Sequence, residues 1–252
     1  MSMAQKLVED LKVQDAFVIP VFGGIHIAES VVVSWVVMGI LVALALWLTH
    51  GMKVRNPGKK QVAVEAFVTW LEKTIKGMLG PDAGEYAEYL MTVIMFIGLS
   101  NIIGLLGMKP PTKDLDVTAA LAIMSIVLIE AAGIKRKGVL GWLKSFTQPV
   151  GIVTPINILE VFIRPLSLCM RLFGNVLGSY VIMTLIENLI PVGVPLIFSF
   201  YFDIFDGMIQ AYVFVFLTSL FIAEAAEITP EEPKKKKVRK NKNKKKAVAV
   251  AA

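Results

Sequence analysis

Two apolar segments of roughly 35 residues fill the second half of this chain, about Pro155 to Ile190 and Val192 to Ala226. At about 1.5 Å of rise per residue each would make a helix of about 50 Å, well beyond the ~30 Å of bilayer hydrocarbon. Strong tilt, or a course partly along the membrane, is the natural resolution. Pro191-Val-Gly-Val-Pro195 breaks the pair into a hairpin, and Pro165 should kink its first member. Near the middle of that member stands Arg171. An arginine at the bilayer centre costs roughly 2.5–3.5 kcal/mol on insertion scales, so it demands a partner, a water-filled cavity or a function.

Composition agrees with a membrane protein: 56% of the residues are hydrophobic, too many for a soluble domain of this length to hide. The net charge of +6 misleads, because residues 234–246 hold ten of the 26 basic residues and no acid. The remainder carries 16 basic against 20 acidic residues, a net of −4. Three regions follow: an extracytoplasmic segment, 1–30, a membrane domain, 31–226, and a polybasic cytoplasmic tail, 227–252. No cleavable secretory signal is expected in the first segment, whose charges of both signs are scattered. The single Cys169 excludes an internal disulfide and a cysteine-based metal site, and reads as a small packing residue. His26 and His50 read as interfacial.

Earlier spans are expected at about Val31–Thr49, Ala87–Gly107 and Val117–Ile134, the last stopping at Lys135-Arg136-Lys137. From Gln61 to Leu79, Val64, Phe67, Val68, Leu71 and Ile75 recur at helical spacing among charges, which suits a helix in the interface. Val139 to Phe146 is a second, shorter amphipathic piece. The fold class is therefore all-α: a polytopic membrane protein with about five crossings, including two long tilted hairpin helices, plus amphipathic interfacial helices. Basic clusters follow spans one, three and five, which places the N-terminus outside and the C-terminus in the cytoplasm. No internal repeat of the kind common in secondary transporters is apparent.

Polar residues within the long helices are patterned. At 100° per residue, Asn157, Glu160, Ser167, Arg171 and Asn175 fall within about 40° of one direction, with Gly174 and Gly178 nearby. Tyr180 and Glu187 share the opposite face. On the last helix Asp203, Asp206, Gly207 and Gln210 share a face. Two polar tracks on two sides of one helix suit an ion that approaches from one side, meets Arg171 and leaves by the other. An autonomous secondary transporter or channel would use intramembrane charge equally well. A membrane enzyme would need a nucleophile and base or metal ligands, and no His, Cys or Ser cluster supplies them. No phosphate-binding motif of the G-x-x-x-x-G-K-[ST] type occurs, so nucleotide chemistry would belong to partners.

The string Arg164-Pro-Leu-Ser-Leu-Cys-Met-Arg171-Leu-Phe-Gly-Asn175, with Gln210-Ala-Tyr-Val-Phe-Val-Phe-Leu-Thr218, resembles subunit a of bacterial F-type ATP synthases. Asn101-Ile-Ile-Gly-Leu-Leu-Gly107 and Pro111-Thr-Lys-Asp114-Leu resemble earlier motifs of that family. The resemblance implies a non-catalytic, ion-translocating stator subunit in the plasma membrane, most simply for protons. It has no cofactor or metal of its own, and its partners are the c-subunit ring, the b subunits and other synthase subunits. Arg171 would face the ring and separate two aqueous half-channels. Asn175 and Gln210 would be its polar neighbours, and Ser167 would line the cytoplasmic path, with Glu160 towards the same side.

Three positions depart from the family pattern. Tyr180 stands where a carboxylate or His often lies nine residues after the arginine, Asp203 where some members have His or Glu, and Asn157 where some have Glu. Asp203, Glu187 and Tyr180 are assigned to the outer half-channel. The lysine-rich tail, 234–246, lies outside the family pattern. It is expected to contact anionic lipid at roughly 1 kcal/mol per basic residue, and not nucleic acid. The choice between proton and sodium, the ring stoichiometry and the preferred direction are not encoded in this chain alone.

Overall fold

Among the described residues, five helical stretches are long and apolar enough to cross a bilayer. The computed structural model describes residues 15–19, 25–81, 83–106, 108–147, 154–189 and 193–227. Helix α1 is Glu29–Thr49, α2 Lys59–Leu79, α3 Ala87–Ile102, α4 Leu115–Ser145 and α5 Thr154–Leu189. The last crossing is composite: α6, Val194–Ser199, runs through a π-helical stretch, Phe200–Asp206, into α7, Gly207–Ala226. The expected all-α, multi-pass architecture is thus observed. A small antiparallel hairpin, β1 Asp15–Ile19 with β2 Ile25–Ala28, precedes α1 and was not anticipated. The polybasic tail lies outside the described residues.

The breaks have local causes. Gly138 has a φ of 71°, a left-handed conformation that glycine adopts without a Cβ penalty, and it kinks the chain so that Trp142 Nε1 beyond it donates back to Glu130 Oε2 at 2.7 Å. That agrees with the expected stop at Lys135-Arg136-Lys137. The start of α4 is capped by Asp114, whose Oδ1 accepts from Asp116 N–H at 3.1 Å. Helix α5 continues through Pro165.

Helix α7 is the centre of the bundle and packs on α2, α3, α4 and α5. Its Ala211, Phe214, Val215 and Ile222 meet Ile75 and Leu79, Leu90 and Ile97, Ile129 and Ala132, and Leu168 and Leu172. In a bilayer such contacts are held by close van der Waals packing rather than by expulsion of water. Gly133 permits one such approach, since a Cβ there would lie 3.3 Å from Trp142 and 3.5 Å from the Ala225 carbonyl. By contrast α1 buries only Val33, Ser34 and Val37, leaving Trp35, Leu46 and Trp47 exposed.

Helix α2 forms over the expected amphipathic segment and packs part of its apolar stripe on the bundle. Of the five residues on its expected apolar stripe, Leu71 and Ile75 are buried against the bundle, Val64 is half-buried, and Phe67 and Val68 are exposed. The buried residues of α2 lie in its C-terminal half, while at its start Lys60 donates to the Trp47 carbonyl of α1 at 2.7 Å.

Candidate ion pathway

Helix α5 turns Leu168, Cys169 and Leu172 into the core, with Thr118 Oγ1 lying 3.6 Å from Cys169 Sγ. The 100° step then sends Ser167, Arg171, Gly174 and Asn175 outward, and all four are exposed. Among the described residues no carboxylate pairs with Arg171. Cβ atoms built on Gly174 and Gly178 would meet nothing of this chain within 4 Å. The guanidinium therefore stands on an open, small-residue face flanked by exposed Leu166 and Met170.

The opposite side of α5 is different. A cavity of about 380 Å³ lies between α5 and the last crossing. Tyr180, Thr184 and Glu187 line it from α5, and Asp203, Asp206 and Gln210 from the last crossing. Lys109 and Pro110 line it from the loop between α3 and α4. Ser199 Oγ donates to Asp203 Oδ2 at 2.5 Å, and Ser179 Oγ lies 3.4 Å from Asp206 Oδ2. Gln210, 3% exposed, accepts at Oε1 from Asn175 Nδ2 at 2.6 Å, while its own Nε2 is buried without a partner. Asn175 lies one helical turn from Arg171, so the cavity wall and the arginine face are joined through this amide pair.

Helix α3 and the loop that follows hold the wall in place. Asn101 donates to the Gly207 carbonyl at 3.0 Å and accepts from Thr112 Oγ1 at 2.8 Å. Gly207 is required there: a Cβ on it would lie 2.7 Å from Asn101 Cβ. Next to Thr112, Lys113 places Nζ 3.6 Å from the centroid of the Tyr180 ring. Asp114 then accepts from Ser30 Oγ, tying the loop to α1. The π-helical stretch carries Asp203 and Asp206. Its extra residue per turn alters side-chain direction, a device frequent at functional sites.

Past Arg171 in the other direction, towards the start of α5, Ser167 and Glu160 lie on the surface rather than in the cavity. Glu160 pairs with Arg164 Nη2 at 3.0 Å, and the same nitrogen lies 2.8 Å from Glu224 Oε1. Glu224, near the end of α7, thus joins α5 to α7 through Arg164. The side chain of Arg164 also covers Phe221, 5.1 Å from its ring centroid.

Five of the eight residues singled out in the sequence thus belong to one connected arrangement: Tyr180, Glu187, Asp203 and Gln210 on the cavity, with Asn175 bonded to it. Arg171 and Ser167 occupy the outward face, and Glu160 the far end. Gly104, Lys113 and Arg164 were missed as site residues. A basic side chain four positions from Glu160 and three from Ser167 was visible, yet its partner on α7 was not.

Comparison with known proteins gives one consistent family. The family described as ATP synthase A chain matches residues 31–223. The ATP synthase subunit a of Moorella thermoacetica is 33% identical over 202 residues, covering 80% of this chain and 92% of that protein. The ATP synthase subunit a 2 of Acaryochloris marina is 31% identical, covering 82% and 89%. The ATP synthase subunit a 1 of Hahella chejuensis is 32% identical, covering 84% and 89%.

Proposed function

The chain belongs to the ATP synthase A chain family, and from that premise we propose that it forms two half-channels against a partner ring, with Arg171 between them. Family membership makes it a membrane-embedded, non-catalytic component of the F-type synthase that works in a complex with other synthase subunits. The finer reading concerns which residues move the ion and how.

One observation carries it: the Arg171 guanidinium, midway along α5, lies on an open face and pairs with no carboxylate among the described residues. Such a charge is tolerated when a partner supplies the opposite one. A carboxylate carried past Arg171 on a ring helix would have its ionised form favoured there, because opposite charges attract strongly at low dielectric. Away from Arg171, facing lipid, the same carboxylate must be neutral. Each passage then requires loss of a proton on one side of Arg171 and gain of one on the other. Arg171 stays charged throughout, so it blocks direct passage between the two sides instead of relaying protons.

The cavity supplies one of those sides. Glu187, Tyr180, Asp203 and Asp206 offer proton-exchanging or hydrogen-bonding groups along it, and Gln210 with Asn175 forms its boundary next to the arginine. Ser167 and Glu160 lie beyond Arg171 and serve the other side. With the N-terminus outside, the cavity is the outer half-channel and the Glu160 end the cytoplasmic one. The polybasic tail, 234–246, contacts anionic lipid of the inner leaflet.

The test is ion-driven ATP synthesis by the complete complex in liposomes. Arg171→Ala should abolish it while the complex still assembles, and should open a passive leak. Arg171→Lys should also fail, since an ammonium differs in geometry and deprotonates more easily. Normal coupled synthesis in either variant refutes the reading.

A further inference from the structure

The loop between α3 and α4 holds a lysine over the ring of a residue that lines the cavity. Thr112 is bonded to buried Asn101, and Asp114 is bonded to Ser30 and caps α4. Lys113 stands between these two anchors, its ammonium 3.6 Å from the centroid of a ring that forms part of the cavity wall. A second ammonium, that of Lys109, lines the same end and lies 3.4 Å from Glu29. Resting on the proposed ion path, we propose that Lys113 is an electrostatic screen, whose charge over Tyr180 lowers the occupancy of the cavity by metal cations.

Size cannot do this. A liquid water occupies about 30 Å³, so a cavity of about 380 Å³ admits a hydrated sodium ion. Chemistry alone does not do it either. The carboxylates of Glu187, Asp203 and Asp206 and the hydroxyl of Ser199 are hard oxygen donors, the type preferred by hard cations. Among the described residues, however, no three metal-binding side chains converge, so a cation would be held weakly, by one or two oxygens at a time.

A nearby ammonium repels a proton and a sodium ion alike, but it acts on unequal starting affinities. A carboxylate binds a proton covalently, and it stays usable as a proton acceptor when that affinity falls tenfold. A loosely held sodium ion that loses tenfold drops out of its working range. Among the described residues Glu187, Asp203, Asp206 and Lys109 line the cavity, with Glu29 paired to Lys109, so Lys113 adds positive charge beside a mainly acidic lining.

The test uses the whole synthase in oriented liposomes, with synthesis driven by a pH gradient. Sodium chloride is titrated on the side of the membrane reached by residues 108–114, and choline chloride controls for ionic strength. Lys113→Gln should lower the half-inhibiting sodium concentration about ten- to twentyfold, the effect that one charge would exert over a span of about 10 Å at an effective dielectric near 20. Lys113→Arg keeps the charge and should stay close to the parent. The half-inhibiting concentration is read within one preparation, so partial loss of complex does not move it, and Lys113→Met replaces the Gln variant if that fails to assemble. Equal sodium resistance in Lys113→Gln and the parent overturns the proposal. Synthesis by the parent on a sodium gradient without a pH gradient overturns it too. Failure of the underlying ion-path reading would show separately, as coupled synthesis surviving in Arg171→Gln.

Discussion

The carboxylate of Asp203 occupies the space that a side chain on Gly104 would need. A Cβ built on Gly104 would stand 2.9 Å from Asp203 Oδ1 and 3.1 Å from Cγ. Gly104 therefore makes room for the acid on the last crossing. Gly104→Ala should push Asp203 off its bond to Ser199, at a cost of about 1–3 kcal/mol, typical of overpacking a filled site. Ion-driven synthesis should fall several-fold. In a double-mutant cycle with Asp203→Asn, the two effects on synthesis should be strongly non-additive, because both act on one carboxylate. Additive losses would show that Gly104 matters for a different reason.

Asp203 and Asp206 both line the cavity, the first bonded to Ser199 and the second near Ser179. Asp203→Asn should slow proton flux through the membrane sector strongly, whereas Asp203→Glu should keep much of it. Asp206 is near enough to substitute in part, so the double variant Asp203→Asn/Asp206→Asn gives the cleaner measurement. Proton pumping at the parental rate in that double variant would mean that protons reach Gln210 by another route.

The spans were legible because a bilayer imposes length and apolarity on any helix that crosses it, and a stop such as Lys135-Arg136-Lys137 is written in charge. The arginine face was legible too, since a 100° step places Ser167, Arg171 and Asn175 together whatever surrounds the helix. Contacts between distant segments were not. Nothing local in Lys113 announces that it will lie over Tyr180, and nothing in Arg164 that it will bridge to Glu224, 60 residues on. The π-helical stretch Phe200–Asp206 was equally hidden: its composition is that of an α-helix, and packing against Asn101 and Gly104 accompanies the altered winding. The α2 stripe was legible as an apolar face, but helical spacing does not report what covers it.

Asn101 holds the junction between the π-helical stretch and α7 by two buried hydrogen bonds. Asn101→Ala would strand the Thr112 hydroxyl, at about 1–3 kcal/mol for a buried polar group left unsatisfied. Gly207→Ala should be at least as harmful, because its methyl would fall 2.7 Å from Asn101 Cβ. Both variants should lower the thermal midpoint of the purified complex and reduce synthesis in parallel. A Gly207→Ala complex as stable as the parent would show that the two helices separate at little cost.

The partner ring should meet the face of α5 that carries Ser167, Arg171 and Asn175. Its small residues Gly174 and Gly178 are open to a neighbouring helix, and close approach of backbones is what such residues permit. The opposite face is already occupied by the last crossing through the cavity. Disulfide trapping distinguishes the two sides, since cysteines must come within about 7 Å at Cα to join. In a Cys169→Ser background, Ser167→Cys or Asn175→Cys should cross-link to a cysteine beside the ring carboxylate, in a series that advances as the ring turns. Tyr180→Cys and Glu187→Cys should stay unlinked to the ring yet react with small water-soluble thiol reagents. Ring cross-links confined to Tyr180→Cys would reverse the assignment of the two faces and make the cavity side the rotor contact.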